Sequence, residues 1–363
     1  MAFALVVFNG FGISRLFLLW GVMYILTGWL YKVPVSVQPL KAMAVIAISS
    51  GISIEMLTGT SFFYGILLIV LSLTGAIRWL QKWFSPALVK GIQLGIGLIL
   101  AQKAIEMVIE KGFLLFGEPG SMQMNFLVLL LLLPFLWVFQ FRKKIPIALI
   151  LILVSIVIIK LWGGTEPVIP KETLLDFTVP KFSILLDAFF LLIIPQLPLT
   201  LGNAMFAASD ASHSFWGKQA ERVNPTRFGL SIGIGNSAIG LLGGFPMCHG
   251  AGGIAAHNQF GGKTGGTTII IGVALIVFAL ISPLSAILFL IPVPLLAAML
   301  LFDSWRMIAL IKKLDLSFGI VVAILVGLIS FFTRNLSIAL ISGLVVEQSY
   351  GYIIRRKNLQ VEN

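Results

Sequence analysis

Two short stretches of this chain carry residues that could hold an anion inside an apolar environment. The first, Pro34-Val-Ser-Val-Gln-Pro39, is followed closely by a lysine, Lys41. The second, Pro246-Met-Cys-His-Gly250, runs into Ala251-Gly252-Gly253. Each has a glycine six residues before its first proline (Gly28 and Pro34; Gly240 and Pro246), and each leads into a short helix of small residues. The first N–H groups of a helix lack internal partners and carry roughly half a positive charge. Two such starts facing one another form an anion site from backbone alone. Pro39 suits the first helical position, where its missing N–H is an orphan in any case. Gly250, Gly252 and Gly253 let a ligand approach the second helix closely.

Side chains add donors. Lys41 at membrane depth reads as a counter-charge for a bound anion, or as the partner of a carboxylate such as Glu55. Ser36, Gln38 and His249 offer hydrogen bonds, though His249 reads equally as a packed histidine, and Cys248 as a small buried residue. A third run, Pro195-Gln196-Leu-Pro198-Leu-Thr-Leu-Gly202-Asn203, loosens its helix around two amides. Gln196 and Asn203 are candidates for a third wall, or for an ordinary amide bond between helices.

The elements that position these residues are membrane helices. Hydrophobic residues make up 58% of the 363 positions and charged residues 11%, with a mean hydropathy of +1.04. Soluble domains hold about 25% charged residues, so a water-facing surface is excluded. Helices are expected at 14–31, 39–50, 54–77, 85–110, 125–141, 145–162, 181–208, 227–244, 249–259, 265–282, 284–301, 315–331 and 334–354. Residues 1–10 make half a span, 33–38 and 245–248 extended pieces, and 304–313 an amphipathic connector. Non-helical backbone inside a bilayer is tolerated only where it is buried or lines a cavity. Paired interruptions in two halves of a chain point to a transporter's binding site.

The net charge of +11 does not form one continuous basic face, so nucleic acid is not an expected partner. With these boundaries the clusters at Lys32, Arg78/Lys82/Lys90, Arg142–Lys144, Lys218/Arg222/Arg227, Lys263, Arg306/Lys312/Lys313 and Arg355–Lys357 fall on one side. Glu118, Glu166, Glu172 and Asp176 fall on the other. The positive-inside rule makes the basic side cytoplasmic and places both termini there. One cysteine excludes an internal disulfide and any multi-cysteine metal site. Gly261-Gly-Lys263-Thr264 has the ending of a P-loop, but His257 stands where its first glycine belongs and no strand precedes it. No catalytic set, cofactor or metal site is expected.

The stretches Pro34–Ser49 and Gly243–Ala255, with Pro195–Asn203, resemble signatures of the molybdate transporter family, a branch of the sulfate permease superfamily. Asn236–Thr264 also echoes the wider superfamily. The resemblance implies an all-α membrane protein of seven plus seven helices in inverted repeats, with two half-helices preceded by short extended strands. It implies a core domain of roughly 1–80 and 181–283, a gate domain of 84–163 and 284–355, and a cytoplasmic tail at 356–363. Substrate would sit on Gln38, Pro39, Lys41, Asn203, His249, Gly250, Ala251 and Gly252, moved in elevator fashion by a secondary active transporter in a plasma (inner) membrane, and by the same resemblance a homodimer is expected. The family's usual first helix is represented only by residues 1–10, so it is expected to be truncated, and a regulatory domain after the last helix is not expected. The resemblance favours molybdate, with sulfate the nearest alternative. A nucleobase carrier of the same fold is the third alternative, and the absence of a mid-helix carboxylate near Asn203 in this chain argues against it. An anion channel and an intramembrane enzyme are the alternatives of other classes. Proton coupling is compatible with the resemblance but marked by no residue pattern.

Overall fold

The computed structural model describes residues 2–114, 122–139, 147–161, 173–281, 290–314 and 318–361. The expected Arg142–Lys144 cluster and the acidic Glu118, Glu166 and Glu172 lie outside them. Among the described residues, six helices are long and apolar enough to cross a membrane, and four shorter apolar helices accompany them.

In chain order, α1 (Ala2–Asn9) and α2 (Ile13–Tyr31) lead to the first break. α2 stops because Lys32 turns left-handed (φ 62°), its N–H returning to the Gly28 carbonyl, and Pro34 follows. The chain then runs through the interior, with Val33, Val35, Ser36 and Val37 all buried, to strand β1 (Gln38–Pro39) and helix α3 (Lys41–Ser50). α3 is apolar all round, and Ala42 to Ile48 are all buried, as a helix enclosed by protein must be. The expected start at Pro39 is two residues early: Pro39 belongs to the strand, Leu40 is the extended N-cap, and Lys41 is the first helical residue. The Asn9 amide donates to the Ala47 and Ile52 carbonyls, tying the end of α1 to the far end of α3.

α4 (Ile54–Thr74), capped by Ser53, ends at left-handed Gly75. α5 (Ala76–Gln81), α6 (Pro86–Glu110), α7 (Met122–Phe139) and α8 (Ile147–Leu161) complete the first half. The second half opens with α9 (Phe182–Ala220), one long irregular helix. Pro195 and Pro198 cannot donate α-helical hydrogen bonds, and α9 widens into π-helix at Phe189–Ile193 and Thr200–Ala207. It extends well past the expected end at 208. Then come α10 (Pro225–Leu241), strand β2 (Met247–Cys248), α11 (Ala251–Gln259) and α12 (Gly266–Leu280). α13 (Val293–Ile308), α14 (Phe318–Thr333) and α15 (Leu336–Val361) follow. α13 corrects two expectations. It is continuous through Phe302 and Asp303, where a break was expected, and the irregular connector is only the 3-10 turn Ala309–Lys313. α15 continues past 354.

The two halves pack through each other. α2 lies along α12, and α4 lies along α10. Both seams depend on glycine. A Cβ on Gly28 would stand 2.4 Å from the Gly265 carbonyl oxygen, and one on Gly240 would stand 2.6 Å from that of Thr58. Gly21 and Gly233 sit seven residues before Gly28 and Gly240 and meet the same partner helices. Corresponding helices thus use corresponding faces, which is the mark of a repeat. β1 and β2 pair antiparallel, Gln38 opposite Cys248 and Pro39 opposite Met247, so the half-helices α3 and α11 leave the bridge in opposite directions and the repeat is inverted.

Charge separates along the molecule. The Gly265 N–H donates to the Lys32 carbonyl, Arg222 to that of Leu30, and Trp216 to that of Gly262, gathering Lys32, Lys218, Arg222, Arg227 and Lys263 at one end. Around the second break, buried Arg15 donates to the Gly243 and Thr173 carbonyls and pairs with Asp176.

Candidate functional site

Where the two breaks meet, a cavity of about 670 Å³ opens. One wall is the bridge and its half-helices, with Gln38, Pro39 and Lys41 from the first break and Ala251, Gly252 and Gly253 from the second. Asn203, in the π-helical part of α9, adds a side wall. Opposite stand Gln93 of α6 and Asp303, Arg306 and Met307 of α13. At roughly 30 Å³ per water, this space has room for on the order of 20 waters, so a small ion would enter it with water around it.

The bridge fixes the geometry. The Leu40 N–H donates to the Pro246 carbonyl at 3.1 Å, and the Trp20 indole to that of Phe245 at 3.1 Å. Asn236 in α10 is fully buried and takes both backbone groups of Met247: its Oδ1 accepts from the N–H at 2.7 Å, and its Nδ2 donates to the carbonyl at 2.9 Å. Opposite Met247 stands Pro39, which has no N–H to offer. Gln38 rests directly on Gly250, whose Cβ, if present, would fall 1.5 Å from Gln38 Nε2.

Of the ten residues singled out from sequence, Gln38, Pro39, Lys41, Asn203, Ala251 and Gly252 line this cavity. Lys41 forms no ion pair among the described residues, and the expected alternative partner, Glu55, pairs with Lys181 at 2.7 Å instead. The remaining four stand behind the wall. Ser36 Oγ donates to the Gly250 carbonyl at 3.1 Å, and Gly250 is the N-cap of α11. His249 is fully buried, its ring nitrogens 3.0 Å from the Ser36 carbonyl and 2.8 Å from Ser231 Oγ. Tyr31 donates its hydroxyl to the same Ser231 and packs edge-on against the imidazole. The hydrogen-bonding capacity of His249 is therefore spent inside the protein. Gln196 is also buried, and its Oε1 accepts from the Ala42 and Met43 N–H groups of α3 at 2.9 and 3.3 Å.

Sequence reasoning missed the opposite wall. Arg306 served there only as a marker of the basic side, and Asp303 fell at an expected break. Gln93 is an amide set among apolar and glycine residues of α6, a signal that could have been read. Asp303 also places a carboxylate in the cavity lining.

The second half-helix offers open donors. Among the described residues, nothing accepts from the Ala251 and Gly252 N–H groups, while those of Gly253 and Ile254 turn back to the Gly250 carbonyl. Free amides at a helix start, a lysine ammonium and several amide side chains form a site suited to an anion.

A multi-pass chain whose crossed half-helices end on one polar cavity is a transporter of the inverted-repeat class. Solved structures share the fold. The transmembrane domain of a cyanobacterium bicarbonate transporter, BicA, superposes with a TM-score of 0.68 at 19% identity, covering 94% of this chain and 92% of that one. Murine Slc26a9, an anion transporter in the inward-facing state, gives 0.65 at 14% identity over 98% and 68%.

The chain belongs to the family described as molybdate transporter of MFS superfamily, whose model matches residues 1–100 and 188–307 and so spans both breaks. Molybdate transporter 1 of Arabidopsis thaliana is 32% identical over 320 residues, 78% of this chain and 70% of the relative. Molybdate transporter 2 of the same plant is 26% identical over 321 residues, 77% and 68% respectively. These relatives are transporters, not enzymes.

Proposed function

We propose that this protein is a secondary active transporter of a tetrahedral oxyanion, with molybdate the first candidate. The observation that carries the reading is the meeting of the two half-helices at one cavity. There Lys41 and the open Ala251 and Gly252 amides face the same space. The oxyanion is held by those amides and the Lys41 ammonium, with Gln38 and Asn203 donating from the sides. Ser36, His249 and Gly250 hold the wall rather than the ligand.

The core is formed by the bridge, the half-helices and the α2–α12 and α4–α10 seams, and the gate by α6 packed on α13 and α14. Because core and gate residues line opposite walls of the cavity, sliding one against the other gives alternating access. The gathering of Lys32, Lys218, Arg222, Arg227 and Lys263 at one end supports a cytoplasmic assignment for that end, in a plasma membrane with both termini inside. Proton coupling and a homodimer are compatible with this arrangement.

Calorimetric titration of the purified protein with molybdate, sulfate and uracil tests the reading. Saturable binding of molybdate, competed by tungstate and not by uracil, is the expected result; uracil binding without oxyanion binding overturns it. Sulfate is the second reading, because the same donors suit any tetrahedral dianion and the cavity exceeds the size of one such ion. Uptake into vesicles that saturates at carrier-like turnover separates both from a channel.

A further inference from the structure

The two half-helix starts are chemically unequal, although the fold relates them as repeats. At α11 the Ala251 and Gly252 amides open on the cavity. At α3 the second and third donors, Ala42 and Met43, are both taken by Gln196 Oε1, whereas at α11 the second, Gly252, has no acceptor among the described residues and the third, Gly253, turns back to the Gly250 carbonyl. The orientation of this amide is set by chemistry, because only its oxygen can accept two N–H bonds. Its Nε2 donates to Thr200 Oγ1 at 3.1 Å, and Thr200 accepts in turn from the Tyr64 hydroxyl at 2.6 Å. Gln196 is 2% exposed, and Thr200 and Tyr64 are wholly buried. Three helices, α3, α4 and α9, are thus pinned through one glutamine, in the stretch of α9 that its prolines and π-turns deform.

We propose that Gln196 is a positioning residue that permanently caps the first half-helix as a neutral stand-in for an anion. The substrate oxyanion is consequently held by the α11 amides and the Lys41 ammonium, with Gln38 and Asn203 at the sides, and draws nothing from the Ala42 and Met43 amides. This inference rests on the oxyanion reading of the cavity. Its chemical consequence is a limit on charge. On the half-helix wall, one full positive charge and one uncapped helix end, worth about half a charge, face the ligand, where two uncapped ends would otherwise do so.

Two substitutions separate a cap from a direct ligand. Gln196→Glu keeps an acceptor on the Ala42 and Met43 N–H groups, with the Thr200 hydroxyl turning to donate, but adds a buried negative charge close to Lys41. It should melt at or above the wild-type temperature and bind molybdate at least tenfold more weakly. Gln196→Leu strips the acceptor and orphans two buried amides. It should melt at a lower temperature, while its molybdate affinity stays within twofold of wild type or rises as the amides become available. Thr200→Val removes only the anchor of the glutamine and should show a smaller fall in melting temperature with affinity again unchanged; it serves where Gln196→Leu does not fold.

The proposal is overturned if Gln196→Leu melts like wild type, or if Gln196→Leu or Thr200→Val loses molybdate affinity to the extent of Gln196→Glu. A wild-type protein that binds no oxyanion defeats the reading of the cavity instead. The melting order in anion-free buffer still decides whether Gln196 is the cap.

Discussion

Replacing Asn236 should release strand β2 from its scaffold and blur the cavity without touching any residue that lines it. The side chain satisfies the N–H and the carbonyl of Met247, and no bond to either can come from Pro39 across the bridge in the form of an N–H. Asn236→Leu, nearly the same size, leaves both groups buried without a partner. Each such group costs about 1–3 kcal/mol, so the variant should lose roughly 2–6 kcal/mol, a large part of the ~5–15 kcal/mol that holds a typical domain folded. The melting temperature of the purified protein, followed by intrinsic fluorescence, should fall by on the order of 5 °C or more.

Asn236→Asp sharpens the test. A neutral carboxylic acid can still accept from the Met247 N–H and donate to the carbonyl, whereas the carboxylate can only accept. The ionised Asn236→Asp side chain keeps the bond from the Met247 N–H and leaves the carbonyl without a donor, so this variant should also melt below wild type. If Asn236→Leu melts within a degree of wild type, or Asn236→Asp melts no lower than wild type, Asn236 does not hold the bridge.

Other expected outcomes follow from the same geometry. Lys41→Met removes the one unpaired cation from the half-helix wall. A unit charge at ~4 Å contributes about 1 kcal/mol in water and about 4 kcal/mol at an effective dielectric of 20. Molybdate affinity in a calorimetric titration should thus fall roughly 5- to 1,000-fold, with the melting temperature preserved; unchanged affinity would remove lysine from the site. Gly253→Ala drives a Cβ to within 2.4 Å of the Ser36 Cβ and Oγ, an overpacking that costs about 1–3 kcal/mol. Adding Ser36→Gly should restore stability in a double-mutant cycle, and strict additivity would deny the contact. Arg306, on the opposite wall and exposed, should act on encounter more than on holding. Arg306→Gln should slow molybdate association several-fold in dilute buffer and little at 0.5 M salt, as stopped-flow measurement would show.

The features readable from sequence are those that violate membrane rules. Pro34, Pro39 and Pro246 weaken any helix that would run through them, and the matched Gly–Pro spacing marked both breaks and their kinship. The prolines around Gln196 likewise announced an irregular α9. The seven-residue echo of Gly21 and Gly28 in Gly233 and Gly240 was also present in the chain, but its meaning depends on knowing which helices cross.

Partnership was not legible. Gln196, His249 and Ser36 have the residue types of ligands, and only the fold shows that their bonds run to Ala42, Ser231 and Gly250. Lys41 and Lys181 are equivalent candidates for Glu55 on paper, and the arrangement of α4 and the start of α9 brings Lys181 to it. The far wall was invisible for a related reason. Asp303 and Arg306 lie near the end of a helix, where charge is ordinary, and become cavity residues only because α13 continues unbroken beside α6.

Diffraction data collected at the molybdenum absorption edge from the molybdate-bound protein test the central proposal most directly. The account predicts one strong anomalous peak within hydrogen-bonding reach, through oxyanion oxygens, of the Ala251 and Gly252 amides and the Lys41 ammonium, with Gln196 still on Ala42 and Met43. A peak elsewhere in the molecule, or a saturated protein with no peak between the half-helices, would contradict it.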